Sequence, residues 1–327
     1  MKTTSTFIND YNSQSNVLTI EEARKSVQDM CLINAFLFDS VLENEEDAKL
    51  VISNILSTIF NRQIDVKSVT SQKSFQAVNT QYHGIRMDAY INPVGDNEKI
   101  IATVYDVEME DRVTDKKELP RRLRYYGALH DDKYLKASHD YKSLPDFITI
   151  TILSYDPFSA GDMYYESRSI LTTHPNIEYD DGITHIFLYC GGTPNVKDIA
   201  HSKKLTEMLK YIQTGEKPTT PNSRINDIDK VVSLVKSRPE VTTNYMKQWL
   251  REQVLKQELT EQVTEQVTEQ VTQKTKHNAA IRFIIFSQIH NISDDDIKAE
   301  LITNYGYKDT EIPPLYQEAA KERDSKS

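Results

Sequence analysis

Cysteine is nearly absent from this chain of 327 residues. The two present, Cys31 and Cys190, are far apart and show no CxxC spacing. That excludes a cysteine-built metal site and a disulfide scaffold, and fits a reducing cytoplasm. Long apolar runs are missing too. The greasiest stretch, 281–289, is broken by Arg282 and polar residues, and falls well short of the roughly 18 residues a membrane span needs. Residues 1–16 are polar, without the apolar segment of a secretory signal. No GxSxG elbow, Walker loop, GxGxxG or HExxH occurs, and Gly191-Gly192-Thr193 reads only as a turn. The eight histidines are scattered, with no close pair suited to zinc. Net positive charge is lacking as well: 39 basic minus 49 acidic residues gives −10. Such a chain does not coat nucleic acid by bulk charge, although a local basic surface can still bind it.

One stretch departs from that balance. Residues 112–142 hold nine basic side chains against five acidic ones, or +4 within a −10 chain. Around it the periodicities predict a mixed α/β domain over 19–250, following a disordered leader at 1–18. Thr19 and Glu22 form a candidate capping box for a helix reaching about Leu42. A second helix is predicted over 46–61, with Leu50, Ile52, Ile55, Leu56 and Ile59 on one face. An edge strand is expected within 64–79. Strands follow at 85–91 and 100–110 around the turn signals Asn92-Pro93 and Gly95-Asp96-Asn97. A helix rich in Arg and Tyr is predicted over 117–130, and a strand buried on both faces over 147–153. A further strand at 183–189 and helices at 197–213 and 224–257 complete the domain.

Beyond it, Glu-Gln-Val-Thr occurs three times in succession from 261. Leu255, Leu259, Val263, Val267 and Val271 recur every four residues, a stripe that walks about 40° around a straight helix at each step. A heptad coiled coil is disfavoured, and 251–276 reads as a solvated helical stalk with weak self-association. Residues 277–327 form a small helical region, with Ser293 capping an acidic helix that Gly306 ends. A homo-oligomer through these C-terminal helices is one expectation.

The strands at 85–110 carry the candidate chemistry. Side chains alternate along a strand, so Arg86, Asp88 and Tyr90 share a face, as do Val104, Asp106, Glu108 and Glu110. If Asp88 faces Glu108 across the pair, the midpoint is residue 98, on the expected turn. Asp88, Glu108 and Glu110 can then converge. Clustered carboxylates repel one another, and a hard divalent ion, Mg²⁺ or Mn²⁺, is their natural neutraliser. The bland alternative is an exposed acidic sheet face. Close behind in sequence comes Leu119-Pro-Arg-Arg-Leu-Arg-Tyr-Tyr126, which places Arg121, Arg124 and Tyr125 together on a helix with Arg122 beside them. Guanidinium groups grip phosphates, and tyrosines stack on or hydrogen-bond to a backbone.

These residues resemble a known family. Gly84-Ile-Arg-Met-Asp-Ala-Tyr90, Tyr105-Asp-Val-Glu-Met-Glu110, Leu119 to Tyr126 and Asp140-Tyr-Lys-Ser-Leu144 are similar to motifs of the Rpn family of recombination-promoting nucleases and transposase-like proteins. That family lies within the PD-(D/E)XK nuclease superfamily. The likeness runs in order over about 28–250, taking in Phe36-Leu-Phe38 and Ser154-Tyr-Asp-Pro-Phe158. It implies a restriction-endonuclease-like mixed sheet flanked by helices, Mg²⁺-dependent DNA cleavage, and a link to recombination or mobile elements. It also implies that Asp88 and Glu108 are the metal carboxylates, with Arg86, Arg121, Arg122, Arg124, Tyr125 and Tyr126 on the DNA. An acid from the first helix (Asp39, Glu43 or Glu45) is a further candidate ligand. The sequence departs from the pattern at Glu110, where the superfamily has Lys and the family commonly Gln. Three carboxylates against one Mg²⁺ leave the pocket at −1, which favours the cation and opposes an anionic phosphodiester; either Glu110 recruits a second metal or cleavage is slow, and slow cleavage is the expectation because one strand face need not supply ligands for two ions. Two rival readings are a catalytically weak relative that binds DNA or a protein through the same helix, and an assembly protein working through its stalk.

Overall fold

The structure is a computed structural model that describes residues 17–75, 85–93, 103–113, 117–135 and 140–324, with the backbone alone at 71–75, 85–93 and 133. The expected leader, the turn around 95–97 and the tail of the first edge strand lie largely or wholly outside those residues. Contacts divide the chain into two units, Met1–Lys247 and Gln248–Ser327.

In the first unit, α1 (Ile20–Asp29), α2 (Ala35–Leu42) and α3 (Glu45–Ile59) precede β1 (Val66–Phe75), β2 (Ile85–Pro93) and β3 (Thr103–Glu110). α4 (Glu118–Tyr134) links β3 to β4 (Asp146–Leu153). Then come β5 (Tyr164–Ser167), β6 (Ile183–Tyr189), α5 (Ile199–Thr214) and α6 (Ser223–Ser237). The strands form one six-stranded sheet in the order β1-β2-β3-β4-β6-β5. β3, β4 and β6 are parallel, and the remaining neighbours are antiparallel. The architecture is a mixed α/β sheet flanked by helices.

Alternation on the central strands builds the main core. Tyr105, Val107, Met109, Ile150, Ile152, Ile186 and Leu188 share one sheet face and pack with Leu37, Ile52, Ile55, Leu209 and Ile228 of α2, α3, α5 and α6. Removing this face from water supplies most of the driving force, at roughly 25 cal/mol per Å². The opposite face is left for α4.

The helices differ from the sequence reading in instructive places. Thr19 forms its capping box with Glu22, both hydrogen bonds being present. The helix it starts stops at Asp29, however. Buried Leu32 and Ile33 occupy the break, Ile33 N–H donates to the Ile212 carbonyl, and Asn34 starts α2 by accepting from Phe36 and Leu37. Tertiary packing overrides helix propensity there. On α3, Ile52, Ile55, Leu56 and Ile59 are buried as expected, but Leu50 is exposed. The single helix expected over 224–257 is two. Pro239 disfavours helical geometry in the residue before it, and Arg238 is extended at ψ 125°, with α7 (Pro239–Ile289) beginning afresh. β5 was not foreseen, being only four residues of polar edge strand. After β6, a Cβ on Gly192 would lie 2.4 Å from the Asp162 carbonyl oxygen, so that turn requires glycine.

In the second unit, the last turns of α7, α8 (Asp294–Thr303) and α9 (Ile312–Asp324) close around Ile281, Ile284, Ile297, Leu301 and Leu315. Ser293 caps α8 by accepting from Asp296 N–H. α8 ends at Thr303, and Gly306 (φ 63°) takes the left-handed position beyond it. The tetrapeptide repeat is helical, with Leu255, Leu259, Val263, Val267 and Val271 all exposed. Among the described residues no helix is long and apolar enough to cross a membrane.

The main core holds residues up to Val241, joined by Tyr245, while the second cluster begins at Ala280. Removing 255–327 is therefore expected to leave a cooperatively melting core, followed by circular dichroism on heating. Loss of the transition would show that the C-terminal helices belong to the main core.

Candidate active site

The site lies between β3 and α4, on the face opposite the main core. In the β2–β3 pair, Ala89 stands opposite Val107, Tyr90 opposite Asp106 and Ile91 opposite Tyr105. Each pair is centred on residue 98, the midpoint expected if Asp88 faces Glu108. One step along the same register sets Asp88 opposite Glu108. The side chains of Arg86 and Asp88 lie outside the described residues.

On β3, Asp106 is fully buried, and Glu108 is 7% exposed. They do not form the exposed acidic sheet face of the bland alternative. The parallel register sets Asp106 beside Thr149 and Glu108 beside Thr151 on β4. Thr149 in turn neighbours His185 on β6, and the Thr149 hydroxyl lies 2.8 Å from the His185 Nδ1. A polar row thus crosses the sheet beneath α4. The strand at 147–153 is buried on both faces as predicted, but its alternation Ile148-Thr-Ile-Thr-Ile152 makes one of those faces polar.

α4 covers this row because its inner stripe is amphipathic at helical spacing. Pro120 fits in the first turn, where its missing N–H has no intrahelical partner to lose. Leu119 and Leu123 pack on Leu153 and Phe187. Leu129 packs on Val104 and Phe147. Tyr126 touches both groups and Tyr125 the second. Buried His130 stacks on Phe147 and Tyr134, with ring centroids 4.3 and 4.6 Å away. The helix is pinned at both ends.

Arg122 occupies an inner position of the same stripe, three residues after Leu119. Its Nη2 donates to the Glu110 Oε2 at 2.7 Å and lies 3.6 Å from the Glu108 Oε2. Burial works against the charged guanidinium, but the Glu108 charge and the Glu110 hydrogen bond outweigh it and raise the Arg122 pKa above the ordinary arginine value. The converse holds for the acids: a nearly buried Glu108 carboxylate needs such a partner to remain in place. Arg121 and Arg124, by contrast, point to solvent. The basic cluster therefore splits. Two arginines face outward, one faces the carboxylates, and both tyrosines help seat the helix.

β3 and β4 are tied together at the Glu110 end. Ser154 N–H donates to the Glu110 carbonyl at 3.1 Å, and the Ser154 hydroxyl to the Asp111 carbonyl at 3.2 Å. Just beyond, Asp156 accepts from the backbone amides of Phe158, Ser159 and Gly161 and from the Tyr165 hydroxyl. This segment frames the site and contributes no described ligand to it. Of the first-helix candidates, Glu43 and Glu45 follow and open α2 and α3. Lys49 pairs with Glu45 at 2.9 Å.

The donor chemistry is that of hard oxygen ligands: three carboxylates, Asp106, Glu108 and Glu110, alternate onto one strand face, and extending the observed register by one step puts Asp88 opposite Glu108. Among the described residues, no group of three His, Cys, Asp or Glu side chains is placed to hold a metal ion. Asp88, the third donor of the expected set, has its side chain outside that description. Sequence reasoning missed the inward role of Arg122 and the polar row of Thr149, Thr151 and His185. Both were signalled, the first by the spacing of Leu119, Arg122, Leu123, Tyr126 and Leu129, the second by the Ile/Thr alternation.

No protein-family model matches the chain, and no curated protein or solved structure does so.

Burial lowers the His185 pKa, with the nearby Asp181 charge partly opposing it. The folded state then refuses a proton that the unfolded chain accepts below about pH 6.5. Stability should be full above that value and fall as the pH drops through it. His185→Gln is expected to lessen the loss seen between urea unfolding at pH 7.5 and at pH 5.5. An equal loss in the variant would assign the pH dependence to other groups.

Proposed function

We propose that the chain is a divalent-cation-dependent DNA endonuclease of the restriction-endonuclease-like type, linked to recombination or mobile elements. The observation that carries this reading is the juxtaposition at α4. Its inner side meets the β3 carboxylates through Arg122, while its outer side presents Arg121 and Arg124 to solvent. A carboxylate site for a cation and a basic surface for phosphates thus share one helix.

Asp88 and Glu108 would hold Mg²⁺ or Mn²⁺, with Glu110 beside them. When bound, such an ion polarises a phosphodiester and lowers the pKa of its water. Arg121 and Arg124 contact phosphates of the duplex and orient its backbone over the site. Tyr125 and Tyr126 hold α4 at a fixed height above the sheet, so that orientation carries through to the carboxylates. Arg86 belongs to the same strand face as Asp88 and is assigned to the DNA as well.

A second reading, DNA binding without cleavage, draws on the same ion pair, because Arg122 already stands between Glu108 and Glu110. Plasmid nicking with Mg²⁺, Mn²⁺ or EDTA separates the two. Cleavage should require the divalent ion and fall at least about a hundredfold in Glu108→Ala, about the scale of losing one main electrostatic stabiliser. Activity that survives EDTA or Glu108→Ala rejects the site; binding with no cleavage under any of these ions favours the second reading.

Arg121→Ala and Arg124→Ala should each weaken DNA binding alike on all sequences, since phosphate contacts carry no base information. Each should flatten the plot of log K against log salt by roughly 0.9 for duplex DNA. A variant that alters sequence preference and keeps the slope would show these side chains reading bases.

A further inference from the structure

Between Tyr245, the last residue of the main core, and Ala280, the first of the second cluster, α7 is exposed at every residue from 254 to 275. The sequence there is a weak support for a helix on its own. Val and Thr fill half of the Glu-Gln-Val-Thr repeats, and β-branched residues are poor helix formers. Glu261, Glu265 and Glu269 stand four apart, where like charges destabilise a helix. Such a segment draws its helicity from packing an apolar face. The face it offers is the row Leu255, Leu259, Val263, Val267 and Val271, each between 49% and 62% exposed.

The charges around that row point to what covers it. At about 100° per residue, the Gln and Thr of the repeat flank each Val, and the Glu side chains lie about 160° from it, on the far side. The flanks are therefore amides and hydroxyls, which both donate and accept hydrogen bonds and do not repel a second set of themselves. Within 247–276, only Glu252, Lys256 and Lys274 bring charge to within about 20° of Val263 around the helix. Glu252 lies eleven residues before Val263 and Lys274 eleven after it. An antiparallel two-fold centred on Val263 thus sets Glu252 toward Lys274 of the second copy, twice over. A parallel pair sets each of these charges against its own kind.

We propose that this row is the seam of an antiparallel homodimer, in which α7 crosses α7 of a second copy at Val263. Residues four apart form an i±4n ridge, and two such ridges interdigitate where helices cross at about 50°. No supercoil is needed, so the drift of the row around the helix, which disfavours a heptad coil, is compatible with pairing. Leu259, Val263 and Val267 form the centre, and Leu255 and Val271 the rim. So short a crossing covers less than the roughly 1,200 Å² at which stable interfaces begin, and the dimer dissociates at roughly 10 to 100 μM. The pairing is independent of the nuclease reading.

The test is sedimentation velocity with far-ultraviolet circular dichroism on the full chain, from about 1 to about 300 μM, a range that spans that dissociation constant. Mass should double and helicity rise together. Val263→Lys sets two cations against each other at the two-fold axis; it should weaken the dimer at least about tenfold and hold helicity at its dilute value. Glu261→Lys, on the far side, should leave the dimer intact. Glu252→Lys should weaken it several-fold at low salt, and adding Lys274→Glu should restore it. All four positions lie outside both cores, so the first unit should melt as in the wild type. A chain that stays monomeric throughout, its row left to water or to some other partner, overturns the proposal. So does a dimer that Val263→Lys leaves unchanged, or one in which Lys274→Glu fails to rescue Glu252→Lys.

Discussion

A nearly buried carboxylate must have a counter-charge, and the arrangement of the sheet's second face follows from that requirement. Glu108 sits under a helix in the middle of a mixed sheet, where an unpaired ionised group would cost several kcal/mol. Arg122 meets it from α4, and everything that fixes α4 therefore fixes the site. Leu119 and Leu123 anchor one end on Leu153 and Phe187. Leu129 and the His130 stack anchor the other on Phe147. Between those apolar contacts the helix spans the polar row that the strands present.

The two faces of the sheet have separate tasks. One is apolar across three strands and carries the main core with α2, α3, α5 and α6. The other places Asp106, Glu108, Thr149, Thr151 and His185 within a few residues of one another. An apolar row of equal volume would stabilise the fold at least as well, because buried ion pairs gain little over good packing. Retaining acids and hydroxyls under a helix is thus a local conflict with stability, of the kind expected where a protein acts rather than where it merely holds together. The neighbouring core can tolerate that conflict since it does not share those side chains.

Much of this is legible in the amino-acid sequence. The alternation of β3 separates Tyr105, Val107 and Met109 from Asp106, Glu108 and Glu110, and pairing Asp88 with Glu108 centres the expected hairpin register on residue 98, where the observed pairs are centred. The failures share one cause. Local pattern does not say which neighbour an element meets. Helix periodicity runs through 30–34, where burial of Leu32 and Ile33 breaks the chain. It also runs through Arg238, where the ring of Pro239 disfavours helical geometry and the backbone is extended. The Arg/Tyr segment reads as one basic face because Arg121, Arg124 and Tyr125 share helical spacing. Yet Leu119, Leu123 and Leu129 define the inward direction, and Arg122 falls within their arc. Counting apolar residues first and charges second separates it from its neighbours.

That separation bears on the proposal that this acidic chain binds DNA, an anionic polymer. At −10 overall, long-range attraction to DNA is weak, and at physiological salt charges beyond about 8 Å are largely screened. What a phosphate senses is the local field. Arg121 and Arg124 on the outer face of α4 supply it, within the one segment of the chain whose balance is +4. Arg122 does not add to that surface, because its charge is committed to Glu108 and Glu110. The basic segment therefore does two electrostatic jobs on opposite sides of one helix. It neutralises acids that would otherwise disrupt the sheet and repel a phosphate, and it presents to solvent the cations that can hold one. Neither job could be moved to a distant element without losing the other, since the seating of α4 on β3 and β4 sets both distances.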